Sequence, residues 1–202
     1  MCKFSSPRQF GMSSPDHELW QRVKRSDGAA LTELLRRYHD DLYRYGLKLA
    51  QGDADAAKDA IQEVFVELWA RREALADVQF VKSYLLTALR RNLYRQYRLV
   101  LREQTETDGF APEDGVVFSV EDLLVAQLGE EERRQKLLHA LNQLTKRQRE
   151  AVYLKFYEEL SYEQIADVMG IGFQPVYNLI HQALKGLRQC LLLGVGVVLA
   201  GF

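Results

Sequence analysis

The chain has 202 residues, a hydrophobic fraction of 47% and a formal net charge of −1, values ordinary for a soluble protein of one or two domains. The two cysteines, Cys2 and Cys190, lack metal-ligand spacing and are not read as a pair, which fits a reducing compartment and excludes a disulfide scaffold or a cysteine metal centre. Proline is scarce and β-branched alternation is nearly absent, so the expected fold is all-α, with two helical domains joined by an acidic flexible linker.

Met1 to Gly11 lacks periodicity and shows no apolar core of a secretory signal, so ordered structure is expected to begin near Met12. SSPDHELW reads as a helix entry with Asp16 available as its cap. Leu19, Trp20 and Val23, and then Leu31, Leu34, Leu35, Tyr38, Leu42 and Tyr45, recur at helical spacing. Ser26-Asp27-Gly28 divides them into two helices, and Gly52-Asp53 marks the next turn. The acidic run from Asp53 to Asp59 opens a third helix at its negative-favouring end. Its apolar stripe is Ile61, Val64, Phe65, Leu68 and Trp69.

Phe80 to Leu101 is the next helix, with Val81, Tyr84, Leu85, Ala88, Leu89 and Leu93 expected inward. Its other face interleaves cations with Tyr84, Tyr94 and Tyr97. Cations track a phosphate backbone, and aromatic rings offer stacking surfaces to unpaired bases. An amphipathic helix with snorkelling arginines gives the same pattern. From Val78 to Arg102 the chain has six cations (Lys82, Arg90, Arg91, Arg95, Arg98 and Arg102) and no acid. From Glu103 to Glu132 it has ten acids and no cation, and beyond Arg133 the balance turns positive again. Two basic modules on an acidic connector have a near-neutral sum, which hides both nucleic-acid footprints. Residues 13–102 are thus the first domain, 103–119 a linker with Gly109, Pro112 and Gly115, 120–190 the second domain and 191–202 an apolar tail.

In the second domain Thr145 and Gln148 form a capping box, and Lys146, Arg147 and Arg149 stand at a helix start. Cations there oppose the helix dipole, and phosphate is an obvious anion to offset them. Leu160 to Arg188 reads as a helix-turn-helix. Ser161 and Gln164 make a second capping box, and Ile165, Val168 and Met169 form the buried face. Gly170 stops the helix, and Pro175 suits the first turn of the following one. There Val176, Ile180, Ala183, Leu184 and Leu187 are expected inward, while Tyr177, Asn178, His181, Gln182, Lys185 and Arg188 face out. In such a motif the second helix enters the major groove and its early residues meet base edges. The tail LLLGVGVVLAGF is too short to cross a bilayer as a helix, which takes about 20 apolar residues. Its three glycines make a free-standing helix weak. Docking within the protein or on an inhibitory partner is expected for it ahead of contact with a membrane surface, because no basic amphipathic face accompanies it.

These stretches resemble the extracytoplasmic-function class of bacterial sigma factors over roughly Leu19 to Arg188. SDGAALTELLRRYHDDLYRYG is similar to the family's opening helices, and DAIQEVFVELW to the helix that docks on the polymerase clamp. FVKSYLLTALRRNLYRQYR resembles the segment that reads and melts the −10 element, and LTKRQREAVYLKFYEELSYEQIADVMGI the −35-binding domain. VYNLIHQALKGLR resembles members from Bacteroidota-type bacteria.

The resemblance implies core-polymerase contacts at Asp59, Gln62, Glu63 and Phe65. It implies −10 contacts at Lys82, Tyr84, Arg90, Arg91, Asn92, Tyr94, Arg95 and Arg98. It implies −35 contacts at Arg147, Arg149, Ser161, Gln174, Pro175, Tyr177, Asn178, His181 and Lys185. The implied partners are core RNA polymerase, promoter DNA and an anti-sigma factor, often membrane-bound. No small-molecule substrate, cofactor, metal or catalytic residue is implied, and the implied location is cytoplasmic. One departure stands out: family members often carry several cations on the reading helix, whereas Tyr177, Asn178, His181 and Gln182 are largely neutral. Affinity then rests on the polymerase and on Arg147 and Arg149. A stand-alone helix-turn-helix regulator fits the same motif. A nucleic-acid enzyme would need clustered carboxylates or an activated nucleophile, and Asp40-Asp41 is isolated.

Overall fold

Two aspartates set the first helix boundaries of the N-terminal unit. The Asp27 carboxylate accepts from the Ala29 and Ala30 amides, and Asp53 accepts from Asp55 and Ala56, so each fills orphan donors at a helix start. The chain turns back just before each of them through left-handed residues, Ser26 in one case and Gln51 with Gly52 in the other. A computed structural model describes residues 15–104 and 140–199, with side chains through 98 and 189 respectively. The expected start near Met12, most of the linker 103–119 and the approach 120–139 lie outside the described residues.

Among the described residues every regular element is helical. The N-terminal unit is α1 (Pro15–Lys24), α2 (Gly28–Leu49), α3 (Ala54–Ala70), a 3₁₀ turn (Arg72–Ala74) and α4 (Val81–Gln104). The C-terminal unit contains α5 (Lys146–Phe156), α6 (Tyr162–Met169) and α7 (Phe173–Leu199), preceded by helical residues 140–142. Helix α2 packs against α1, α3 and α4. Its crossing with α3 and α4 is close because Gly46 has no side chain. A Cβ there would sit 3.4 Å from Leu89 Cδ2 and 3.5 Å from Ala57 Cβ. Trp20, Leu34, Leu42, Tyr45, Leu85 and Leu89 are fully enclosed.

Both capping boxes of the C-terminal unit form. Thr145 accepts from the Gln148 amide and Ser161 from the Gln164 amide, and each glutamine returns the bond. Gly170 closes α6 in the left-handed conformation (φ +65°), which costs a glycine least. Ile165, Val168 and Met169 of α6 meet Val176 and Ile180 of α7 in one buried cluster. The α7 backbone runs on to Leu199, so tail residues 191–199 continue the helix that starts at Phe173 despite Gly194 and Gly196.

Three local expectations differ. Asp16 lies inside the first turn of α1, where it accepts from Tyr38 Oη at 2.5 Å and pairs with Arg37. It ties α1 to α2. Tyr84 is 36% exposed, with its ring edge-on to Trp20 at 4.9 Å. Leu184, expected inward on α7, is exposed. On α4, Ser83, Leu86 and Asn92 are buried along with the expected apolar stripe. The reason is that α4 has two covered sides: α2 and α3 lie on one, and α6 packs against another.

The seam between the units joins apolar packing, in one hydrophobic cluster that draws on both units, to a set of deeply buried polar contacts. Glu150 of α5, with a side chain only 5% exposed, accepts from Tyr45 Oη at 2.7 Å and from Arg90 Nε at 2.8 Å. Burial and the neighbouring carboxylate push the Tyr45 hydroxyl pKa well above the usual tyrosine value. Glu158, with a side chain 1% exposed, accepts from Tyr153 Oη at 2.7 Å and pairs with Lys82 Nζ at 2.7 Å. Lys82 also reaches Asp41 at 3.0 Å. Burial works to lower the Lys82 pKa, but the Glu158 and Asp41 carboxylates outweigh it and hold it above lysine's ordinary value. The Tyr45 and Tyr153 rings stack at 6.0 Å.

Removing one member of a buried ion pair while the other stays buried costs about 3–5 kcal/mol. Glu150→Ala is therefore expected to part the units, since Arg90 regains water only when the seam opens. Small-angle scattering should show a larger radius of gyration for this variant with helical content retained. A scattering curve identical to that of the unaltered chain would count against the seam.

Candidate nucleic-acid interface

Three surfaces bring together the residues singled out by the sequence. The first is a groove of about 640 Å³ between α2 and α3, lined by Leu31, Leu35, Ile61, Gln62, Phe65, Val66 and Trp69. Periodicity explains it: α3 turns Ala57, Ile61, Val64 and Leu68 into the core, which leaves Gln62, Val66 and the edge of Trp69 along the groove. Val66 is 60% exposed, and Arg72 lies over the Trp69 ring at 4.6 Å. Of the four residues implied for polymerase contact, Gln62 and Phe65 line this groove and Asp59 is exposed nearby on α3. Glu63 turns the other way and accepts from Arg95 at 2.7 Å and Gln96 at 3.1 Å on α4. Asn92, then Gln96 and Arg95, hold its carboxyl below the usual range against the opposing effect of burial.

The second surface is α4 where it meets α6. A cleft of about 960 Å³ is lined by Phe80, Tyr84, Arg91, Asn92 and Arg95 on one side and by Ser161, Glu163 and Asp167 on the other. Arg91 and Arg98 are exposed. Arg95 bridges Glu63 and Glu67. Arg90 stands over the Tyr94 ring at 4.4 Å while it pairs with Glu150. Lys82 and Arg90, read as phosphate contacts, thus have their charges met by carboxylates of the C-terminal unit. Asn92 is buried within the N-terminal unit, and Tyr94 is half-buried beside Arg90. The partners Tyr45, Glu150 and Glu158 were missed by sequence reasoning. A lone glutamate amid Lys146, Arg147 and Arg149 was the available signal for Glu150.

The third surface is the outer face of α5 to α7. Gln174, Pro175, Tyr177, Asn178, His181 and Lys185 are all exposed. Ser161 is spent on capping α6, and its hydroxyl also donates to Glu163 at 2.8 Å. Arg147 and Arg149 are partly buried at the start of α5. Arg149 Nε is enclosed without a hydrogen-bond partner, and burial lowers its pKa from the ordinary arginine value. Among the described residues no cluster of histidine, cysteine and carboxylate side chains is arranged to hold a metal ion. No described helix is long and apolar enough to cross a membrane.

Two family models match the chain. Residues 34–100 match the model for sigma-70 region 2, and residues 134–187 match that for sigma-70 region 4. The RNA polymerase sigma-E factor of Streptomyces avermitilis is 27% identical over 157 residues, 78% of this chain and 82% of that protein. The ECF RNA polymerase sigma factor SigK of Mycobacterium tuberculosis is 25% identical over 183 residues, 89% and 95% of the two chains. Among solved structures, the sigma factor RpoE of Bartonella quintana, in complex with the anti-sigma factor NepR, superposes with a TM-score of 0.55 at 26% identity, over 79% of this chain and 95% of that one. CnrH, in complex with the cytosolic domain of CnrY, shares the fold with a TM-score of 0.58 at 16% identity, covering 87% and 96%. With region 2 and region 4 matched in order, the chain belongs to the sigma-70 family, as a sigma factor of the extracytoplasmic-function class that directs transcription initiation.

Proposed function

We propose that this sigma factor divides its work among the three surfaces. The α2–α3 groove docks on core RNA polymerase, the α4 face meets the −10 element with one strand unpaired, and α7 reads the −35 duplex. The observation that carries this reading is their coexistence on one chain: an open apolar groove, an arginine and tyrosine face, and a helix-turn-helix with its outer face free of the core. For Lys82 and Arg90 to meet phosphate, the units must part, because both are engaged by Glu158 and Glu150 in the closed arrangement. An anti-sigma factor is the proposed inhibitory partner, by analogy with the NepR complex of the Bartonella protein. The α7 sequence supports a place among Bacteroidota-type members, and the cytoplasm, where core polymerase works, is the proposed site of action. A stand-alone regulator built on the same helix-turn-helix would not co-purify with core polymerase, and this separates the two readings.

The groove reading is tested with Val66→Asp. An unpaired carboxylate enclosed in an apolar contact is costly. Core affinity is expected to fall at least about tenfold, the equivalent of about 1.4 kcal/mol. Pull-down of core polymerase measures it, and unchanged affinity would remove the groove from the docking surface. Glu63 is a poor probe, since its loss also disturbs the α3–α4 contact.

The α4 reading is tested through salt. Each phosphate contact contributes about 0.7–0.9 to the slope of log affinity against log salt. Arg91→Ala and Arg98→Ala holoenzymes should each lose about that much slope in promoter binding. Slopes equal to that of the unaltered protein would leave these arginines without a phosphate.

A further inference from the structure

The outer face of α7 is chemically unusual for a surface that meets DNA. At 100° per residue, Gln174 and Asn178 lie opposite the buried Val176, Ile180 and Ala183. Gln182 continues their row at the same spacing of four. Beside it runs a row of rings: Phe173, Tyr177 and His181. Tyr162 of α6 is 5.8 Å from the Phe173 ring and 6.0 Å from the Tyr177 ring, and Tyr177 stacks on His181 at 5.9 Å. Lys155 lies over Tyr162 at 5.0 Å. This network ties the first turns of α7 to the two preceding helices, so the amides stand on a held platform. Gln174 Nε2 donates to Asn178 Oδ1 at 3.1 Å, which aligns one amide with the next.

What the face lacks is as informative as what it holds. From Phe173 to Gln182 the sequence FQPVYNLIHQ contains no Arg, Lys, Asp or Glu. Guanine is most often read by Arg or Lys at O6 and N7, and cytosine by an acid at N4. Adenine is read by an Asn or Gln amide, whose oxygen accepts from N6 and whose nitrogen donates to N7. Apolar groups meet the thymine methyl. The first cation on the helix is Lys185, three turns in and suited to backbone phosphate.

We infer that Gln174 and Asn178 are specificity-determining residues that read adenine at two upstream positions. Phe173 and Tyr177 lie against thymine methyls, and the helix takes little of its selectivity from guanine. This rests on the proposal that α7 enters the −35 duplex.

Two measurements test it. Holoenzyme made from core polymerase and the full chain transcribes a promoter library randomised over the upstream element, and the transcripts are sequenced. The unaltered chain should favour A·T at two positions by about five- to hundredfold. Asn178→Ala should flatten one position and Gln174→Ala the other, and Asn178→Arg should turn the adenine preference into guanine at its position. In parallel, the chain alone selects from random duplexes without polymerase, since the α7 face is exposed in the closed arrangement. A·T preference there without promoter-directed transcription would sink the sigma reading of this surface and leave the adenine assignment standing. G·C preference at the responsive positions, or profiles that neither alanine variant changes, would overturn the assignment.

Discussion

The closed arrangement depends on the Glu150 carboxylate. It sits in the interior between Tyr45 and Arg90 and accepts hydrogen bonds from both. A carboxylate taken out of water loses several kcal/mol of hydration, and the hydroxyl and the guanidinium offset that loss only in a narrow geometry. The position of α5 against α2 and α4 is therefore tightly specified. Glu158 repeats the device about two turns further along the chain, with Tyr153 and Lys82 as its partners. Both seams pair one carboxylate with one phenol and one cation. Such a contact is exacting when closed, yet its parts are hydrated again once separated. The ion pairs are set among apolar residues of both units that form one buried cluster, so opening the seam also exposes apolar surface.

Closure affects the three surfaces unequally. The α2–α3 groove lies among residues of the N-terminal unit alone, and its edge at Val66 is open. The reading face of α7 is likewise open. What closure engages is α4, where Lys82 and Arg90 exchange possible phosphate partners for carboxylates fixed on the chain itself. Glu163 and Asp167 line the same cleft as Arg91 and Arg95, so the carboxylate character of the covering surface extends beyond the two direct pairs.

The helix plan was legible because local chemistry states it. Asp27, Asp53, Thr145 and Ser161 are caps that need only a few neighbouring residues to act, and Gly170 is a stop of the same kind. The apolar stripes of α2, α3 and α6 were legible for the same reason. The second covered side of α4 was not. Leu86 and Ser83 fall among the polar residues of an otherwise amphipathic helix, and nothing nearby in sequence marks them as contacts. Their neighbours lie more than sixty residues away, as Ser83 with Gln164 shows. Charge blocks said little about the pairing of α4. The acidic run 103–132 reads as a connector, while across the seam Lys82 and Arg90 pair with single glutamates of the C-terminal unit. Block averages conceal a buried pair, because a single carboxylate at the right distance outweighs many solvated ones. Glu63 is implied as a polymerase contact by the resemblance, but helical geometry puts Glu63 and Glu67 in one row, which here faces Arg95.

The neutral reading helix then has a physical sense within the assembly. Phosphate contacts supply affinity through released counterions and carry no sequence information, whereas base-edge contacts carry the information and add less binding. A free-standing regulator needs both on its own surface. A subunit delivered to DNA by a large enzyme does not, because the enzyme's grip on the template raises the local concentration of α7 at the duplex. Cations placed on that helix to meet phosphate would add grip without selection, since they hold wrong and right sequences alike. Under the inference drawn above, the amides of Gln174 and Asn178 would discriminate through hydrogen bonds that a mismatched base leaves unmade. The loss on mismatch is then close to the whole contribution of the contact. A reading surface poor in charge is what this division of labour calls for, with nonspecific binding left to α4, to the start of α5 and to the polymerase.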